Sequence, residues 1–302
     1  MNQLSRRNPL VSIVVPTYNR AFCIERAINS VINQTVSDWE MIIVDNNSTD
    51  NTEEIINKFQ DDRISILKID NKGIVAKSRN LGIKMANGSF VAFLDSDDWW
   101  VAKKLEMALA RLELGSDLVY HDLYKISKLP SKAKKNQRIA SRGLSCPVFV
   151  DLLTNGNTIW NSSVVVKRRF LEKIGGFSEE KDLVGSEDFD GWLRISKLSD
   201  KFERLEGVLG YYWFGDGNLT SAERTLRNNL FLINRYEADL QMIGVKTLPG
   251  WMSYTLARSS LALEDFAEAR RYSLLTLKSR VPLKTFIKAA VTWVISALKS
   301  RS

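Results

Sequence analysis

Apolar and polar positions alternate in blocks along the first hundred residues. Ser12-Ile13-Val14-Val15 is a largely β-branched run closed by Pro16-Thr17-Tyr18-Asn19, the pattern of a buried strand that ends in a loop. From Ala21 to Asn33, Phe22, Ile24, Ala27, Ile28, Val31 and Ile32 recur at helical spacing. Met41-Ile42-Ile43-Val44 predicts a second buried strand. Asp45 to Asp50 after it supplies turn residues and a cap for a helix over Thr52–Phe59. Ile64 to Ile69 predicts a third strand, followed by a helix carrying Ala76, Leu81, Ile83 and Met85 that ends near Asn87-Gly88. Phe90 to Leu94 predicts a fourth strand, which runs straight into Asp95-Ser96-Asp97-Asp98. Such alternation gives βαβ units, hence an α/β fold with a mostly parallel sheet covered on both faces. Ligands of such sheets bind outside the carboxyl ends of the strands. Thr17-Tyr18-Asn19, Asp45-Asn46 and Asp95 to Asp98 are therefore expected to face one crevice.

The middle of the chain is less regular. Leu118-Val119-Tyr120 predicts a strand, and the basic, Ser-rich stretch from Lys125 to Arg142 reads as a mobile loop. Ser163 to Val166 is expected to resume the sheet, Gly175-Gly176-Phe177 to turn, and Phe189 to Leu198 to form a helix. Beyond about Thr220 the pattern is helical. Leu256 to Leu277 reads as a hairpin with Ala257, Leu261, Ala267, Ala269, Leu274 and Leu275 as its spine. There is no internal repeat.

Composition narrows the chemistry. In 302 residues, 43 Lys+Arg against 35 Asp+Glu give a formal charge of +8, which suits an anionic partner without choosing one. A hydrophobic content of 44% excludes global disorder. Two cysteines and a single histidine exclude a disulfide framework and a His- or Cys-based metal cluster, and they weaken any Ser-His-Asp triad. A bound metal would be held by oxygen, as Mg²⁺ or Mn²⁺ is. The apolar run after Arg6-Arg7 stops at Val15-Pro16, too short for a signal peptide, and nothing reaches spanning length. A cytoplasmic protein is the expectation, either free or resting on the inner face of the membrane.

Asp95-Ser96-Asp97 is the leading candidate site, because two carboxylates around a small residue at a strand end can converge on one cation. A turn and helix cap is the bland alternative. Asp45 can accept from a ribose or a uracil N–H, or merely start its turn. Arg79-Asn80 can reach a base or phosphate, or sit on a solvated helical face. Trp99-Trp100 and Trp160 are candidates for a sugar platform, with core packing favoured for at least two. Tyr211-Tyr212-Trp213 reads as a strand or its edge, and His121-Asp122 as structural more than acceptor-lining.

Val11–Arg20, Ile43–Asp50, Arg79-Asn80 and Phe93–Asp98 together resemble the inverting family 2 glycosyltransferases of the GT-A fold. The likeness is strong over residues 11 to 100, moderate to about 215, and generic beyond. It implies a Rossmann-like sheet flanked by helices, with a C-terminal helical extension. The implied catalytic domain covers residues 1–220: a nucleotide-sugar half to about residue 100 and an acceptor half after it. Residues 221–302 then form a helical region with a basic amphipathic tail. The resemblance places Pro16, Thr17, Tyr18, Asn19, Asp45, Arg79, Asp95 and Ser96 on the nucleotide sugar. It places Asp97, with Asp95, on Mn²⁺ or Mg²⁺. Ser186-Glu187-Asp188 resembles the family's Glu-Asp motif, which makes Asp188 the general base and Glu187 the alternate.

The expected activity is transfer of a sugar from a nucleotide donor, a UDP-sugar by preference, to a hydroxyl of a saccharide or lipid-linked saccharide acceptor in surface polysaccharide synthesis. A nucleotidyltransferase and a non-catalytic scaffold are the rival readings. The nucleotidyltransferase is disfavoured because no Gly-rich phosphate loop follows the first strand. No nucleic-acid-binding motif is present, and self-association stays open. After Glu268 there are eight basic residues and no acid. Among them Lys284, Lys288 and Lys299 lie opposite Phe286, Ile287, Ala290, Trp293, Val294, Ala297 and Leu298. The tail thus reads equally as an anchor to an anionic membrane surface and as a packed helix with its charges in water.

Overall fold

The computed structural model describes residues 8–127, 137–215 and 221–299. The elements in chain order are β1 (Val11–Thr17), α1 (Ile24–Ile32), β2 (Trp39–Asp45), α2 (Thr52–Asn57), β3 (Ile64–Lys68), α3 (Val75–Met85), β4 (Phe90–Phe93), β5 (Trp99–Trp100) and α4 (Lys104–Glu113). Then come β6 (Leu118–Ile126), β7 (Gln137–Ile139), α5 (Val148–Asn155), β8 (Val165–Lys167), α6 (Arg168–Lys173), α7 (Glu187–Ser196) and β9 (Phe202–Trp213). Helices α8 (Ala222–Arg235), α9 (Glu237–Met242), α10 (Gly250–Ala262), α11 (Phe266–Leu277) and α12 (Leu283–Lys299) complete the chain.

Two compact units result. The first takes Met1–Leu144, Thr158–Glu179 and Arg194–Asn218; the second takes Ser145–Asn157, Glu180–Leu193 and Leu219–Ser302. The nine strands among the described residues fall in the first unit, in the order β3-β2-β1-β4-β8-β6-β9-β5, with β7 paired to β6. The pairs from β3 to β4 are parallel, as the βαβ pattern requires. Beyond β4 the sheet turns mixed: β8 is antiparallel to both β4 and β6, while β6 runs parallel to β9. Every residue of β1 is buried, because a central strand packs helices on both faces. Helix α3 comes especially close. A Cβ on Gly82 would sit 2.5 Å from Val14 Cγ1, so only glycine admits that approach.

The stretch read as a loop from Lys125 to Arg142 is different in part. Strand β6 runs on to Ile126 and β7 pairs with it, Leu123 opposite Ile139. Residues 128–136 of that loop lie outside the described residues.

In the second unit, Leu256, Ala257 and Tyr272 form the heart of the α10–α11 hairpin, with Leu226, Ile233, Leu248 and Leu275 against them. Asp265 caps α11 by accepting from the Glu268 N–H at 3.0 Å. Ala267 and Leu274, expected in the spine, are exposed instead. Helical period alone does not say which flank of a stripe its neighbour covers.

Candidate active site

Register places the site. Parallel pairing of β1 with β2 sets Thr17 opposite Asp45, and β4 leaves the sheet at Phe93, opposite Val14, just before the acidic loop. The loops after β1 and β2 are stitched together. Asn19, held at φ 50°, donates its N–H to Ser48 Oγ at 2.9 Å, and its Oδ1 accepts from the Thr49 N–H at 2.8 Å. The Arg20 N–H donates to Thr52 Oγ1 at 2.8 Å and the Ala21 N–H to Asp50 Oδ2 at 3.1 Å. Pro16 lies within β1 opposite Val44, and Tyr18 is half exposed.

Asp45 is buried and accepts from the Ser48 N–H at 3.1 Å and the Ser48 hydroxyl at 2.5 Å. It therefore organises its turn, while a carboxylate with this many partners keeps acceptor capacity. Thr17 is buried beside it, and its Oγ1 has no hydrogen-bond partner among the described residues. Leaving a buried hydroxyl unpaired costs about 1–3 kcal/mol, which a ligand supplying an acceptor would recover.

Arg79 is not on a solvated face. It is buried on α3 and pairs with Asp95 at 2.8 Å, while Asn161 Nδ2 donates to the same Asp95 oxygen at 3.2 Å. The Asp95 N–H donates to Ser162 Oγ at 3.0 Å. Asp97 has Arg20 Nε at 3.6 Å, and its backbone carbonyl accepts from Arg26 Nη2 at 2.7 Å. The Arg26 guanidinium in turn lies 3.8 Å over the Trp99 ring and 5.2 Å from that of Trp213. The Ser96 carbonyl accepts from the Cys23 thiol, and Asp98, wholly buried, accepts from the Trp213 N–H at 2.8 Å.

Three carboxylates so close repel one another. Burial, and then the charge of Asp95, raise the Asp97 carboxyl above its ordinary range, with Arg20 opposing. Asp98 is pushed well above that range by burial, then by Asp97 and Asp95. Among the described residues no group of three or more His, Cys, Asp or Glu is placed to hold an ion. Asp95 and Asp97 offer two hard oxygen donors on one acidic loop. That set fits Mg²⁺ or Mn²⁺, which use one or two carboxylates and take the rest from substrate phosphate and water.

Glu187 and Asp188 open α7 and belong to the second unit. Glu187 is buried and accepts from the Gly185 N–H at 2.6 Å, whereas Asp188 is half-buried with its Oδ1 accepting from the Phe189 N–H at 2.7 Å. Asp190 accepts from the Tyr236 hydroxyl at 2.8 Å and pairs with Arg235 at 3.2 Å. An acidic first turn suits the positive end of a helix.

The other candidates separate cleanly. Trp100 is buried and donates Nε1–H to the Ser162 carbonyl at 2.7 Å; Trp99 stacks on Tyr211 at 4.8 Å. Trp160 is exposed, with the Tyr212 ring 5.9 Å away. His121 does not follow a strand but lies inside β6, wholly buried, with Nδ1 2.8 Å from the Asp122 carbonyl. Asn80 grips the Gly-Gly-Phe turn: it accepts from the Phe177 N–H at 2.8 Å and donates to the Phe177 carbonyl at 2.9 Å. It is therefore structural rather than a ligand to base or phosphate. Arg20, Arg26, Asn161 and Ser162 were given no role from the sequence. Their partners are distant along the chain, and only Arg20, within the first motif, carried any signal.

A Rossmann-like sheet with an Asp-Ser-Asp loop at its carboxyl edge defines the GT-A class. The chain belongs to glycosyl transferase family 2, whose sequence model matches residues 12–175. It is 36% identical over 150 residues to the UDP-Glc:alpha-D-GlcNAc-diphosphoundecaprenol beta-1,3-glucosyltransferase WfgD of Escherichia coli, covering 47% of this chain and 59% of that one. It is 44% identical over 103 residues to the putative teichuronic acid biosynthesis glycosyltransferase TuaG of Bacillus subtilis (strain 168), covering 33% of this chain and 41% of that one. The chain thus spans 59% and 41% of the lengths of these two relatives. The mannosyltransferase PcManGT of Pyrobaculum calidifontis, in complex with GDP-Man and Mn²⁺, superposes with a TM-score of 0.58 at 18% identity, covering 97% of this chain and 87% of that one. That likeness establishes the fold. The chain is thus a member of a glycosyltransferase family with relatives in polysaccharide biosynthesis.

Proposed function

We propose that the chain is an inverting, divalent-metal-dependent glycosyltransferase. It takes a sugar from a UDP donor and places it on a hydroxyl of a lipid-linked saccharide at the cytoplasmic face of the membrane. The observation that carries the reading is the convergence of Thr17, Asp45, Asp95 and Asp97 at adjacent strand ends of one sheet, with Arg79 of α3 paired to Asp95 and the Thr17 hydroxyl unpartnered among the described residues. Donor and acceptor class are supported by the E. coli relative's name, and the metal by the archaeal structure's Mn²⁺.

Each residue then has a task. Asp45 and Thr17 bind the nucleoside, with Pro16, Tyr18 and Asn19 shaping that side and Arg79 holding Asp95 in place. Asp97, with Asp95, would hold the ion, and Ser96 lies between them in the sequence on the nucleotide-sugar side. When bound, a divalent ion stabilises as a Lewis acid the charge that gathers on the departing diphosphate. The acceptor oxygen attacks the anomeric carbon, forming the new glycosidic bond as the bond to the diphosphate breaks. Asp188 takes the hydroxyl proton, a contribution of roughly 10²–10⁴-fold. Glu187, engaged with Gly185, is the weaker candidate for that proton. In this reading residues 1–220 are the catalytic part and 221–302 its helical extension, a functional division that differs from the compact units, where Ser145–Asn157 and Glu180–Leu193 group with the C-terminal helices.

The test is calorimetry with UDP and Mn²⁺, paired with turnover. Wild type should bind UDP more tightly with Mn²⁺, and Asp97→Ala should lose that dependence. Asp188→Asn should keep UDP affinity while transfer falls by at least ~10²-fold. Metal-independent UDP binding by the wild type would overturn the metal role. Near-normal transfer by Asp188→Asn would reassign the base.

A further inference from the structure

Helix α12 is amphipathic in the reverse sense of an ordinary packed helix. It rests on α10 and α11, and the residues it buries are small or polar: Ala289, Thr292 and Ser296. Its aliphatic residues point outward instead. Leu283 is 73% exposed, Ile287 54% and Leu298 67%, with Val291 and Val294 about half exposed between them. At 100° per residue these five fall within one 80° arc, a stripe about 22 Å long from Leu283 to Leu298. Soluble proteins do not leave a contiguous aliphatic stripe in water without a use for it.

The charges beside the stripe narrow the occupant. Lys284 and Lys288 run along one flank of the arc, and Lys278 and Arg280 stand exposed just before the helix. After Glu268 the sequence has no Asp or Glu. A second copy of the chain meeting this face across a two-fold axis would bring lysine rows together with no carboxylate between them. An anionic bilayer satisfies both halves of the pattern: acyl chains take the aliphatic arc, and head-group phosphates take the lysines. Among the described residues no helix is long and apolar enough to cross a membrane, and the stripe's geometry is that of a helix lying in the interface plane.

We infer that the outward face of α12 is a membrane-docking surface that seats the second unit on an anionic lipid leaflet. Trp293, covered by the Arg270 guanidinium at 5.2 Å, and Lys299, 5.6 Å from the Phe266 ring, tie the helix to α11 so that the stripe is presented rigidly. The inference stands on α12 alone, so its failure would leave the transfer reading intact, and the reverse holds too.

The experiment is co-sedimentation of the full chain with vesicles of phosphatidylcholine containing one-third phosphatidylglycerol, and with vesicles of phosphatidylcholine alone. The wild type should pellet with the anionic vesicles and much less with the neutral ones. Ile287→Gln combined with Val294→Gln should weaken the partition at least tenfold. Lys284→Gln combined with Lys288→Gln should weaken it by about fivefold per lysine. The thermal midpoint of each variant, all at exposed positions, should stay near that of the wild type. Three outcomes would overturn the inference: no pelleting of the wild type, pelleting equal on both vesicle types, or apolar variants that pellet like the wild type. A dimer in light scattering that the Gln pair dissociates, without vesicle binding, would assign the face to a second copy instead.

Discussion

Arg26 is the place where the architecture of the acidic loop can be tested without touching a carboxylate. Its guanidinium donates to the Asp97 carbonyl at 2.7 Å and lies 3.8 Å over Trp99. A hydrogen bond from a charged donor contributes about 1.5–3 kcal/mol, and a half-desolvated cation–π contact about 1 kcal/mol. Arg26→Gln should therefore cost about 2–4 kcal/mol, or about 5–15 °C in melting temperature for a unit of this size. The functional effect should be larger than the thermal one. Asp97 is braced from its backbone, and a displacement of about 1 Å in a binding group can cost roughly 10²-fold in rate. Arg26→Lys keeps the charge but not the flat stack, so it should fall between the two. Calorimetry of UDP with Mn²⁺, alongside scanning of the apo protein, reads both effects. Exposed Glu25→Gln on the same helix serves as the control. If Arg26→Gln melted and bound Mn²⁺-UDP like the wild type, the bracing role would be wrong.

Two further outcomes are expected. Burial, and then the Lys104 charge, push the His121 imidazole down to about 3, whereas the unfolded chain's histidine takes its proton near pH ~6.5. Between those values the unfolded state binds the extra proton, so stability is level above about pH 6.5 and falls by about 1.4 kcal/mol per unit below it. In urea unfolding, His121→Gln should lose about 2 kcal/mol less than the wild type between pH ~6.5 and ~5; parallel losses would reject the buried neutral histidine. Asn80→Ala should cost about 2–3 kcal/mol in thermal unfolding, because both Phe177 backbone groups lose their partner; an unchanged midpoint would show that water replaces it.

Period and punctuation made the first half of the sheet legible. β1 to β4 and their crossover helices follow from short apolar runs closed by polar turns, and the carboxyl-edge rule then put Thr17, Asp45 and Asp95 together. The second half was harder to read for a physical reason. Antiparallel insertion of β8 between β4 and β6 depends on pairing between distant segments, which no local pattern encodes. The same holds for the acidic loop's supports. Asn161 and Ser162 reach Asp95 across more than sixty residues, and nothing near Arg26 marks it as a stacking cation. In α12 the periodicity was visible, but the covered side was not. Helical spacing defines a stripe, and only packing shows that small residues face inward.

The stitching of the β1 and β2 loops has a consequence for how donor choice can change. Asn19, Ser48, Thr49, Asp50 and Thr52 form a single clasp, so neither loop can take a new shape while the other keeps its own. A change of nucleotide preference would have to move both segments as one cassette. Grafting residues 17–21 from a homologue without its residues 45–52 would break the clasp before altering selectivity.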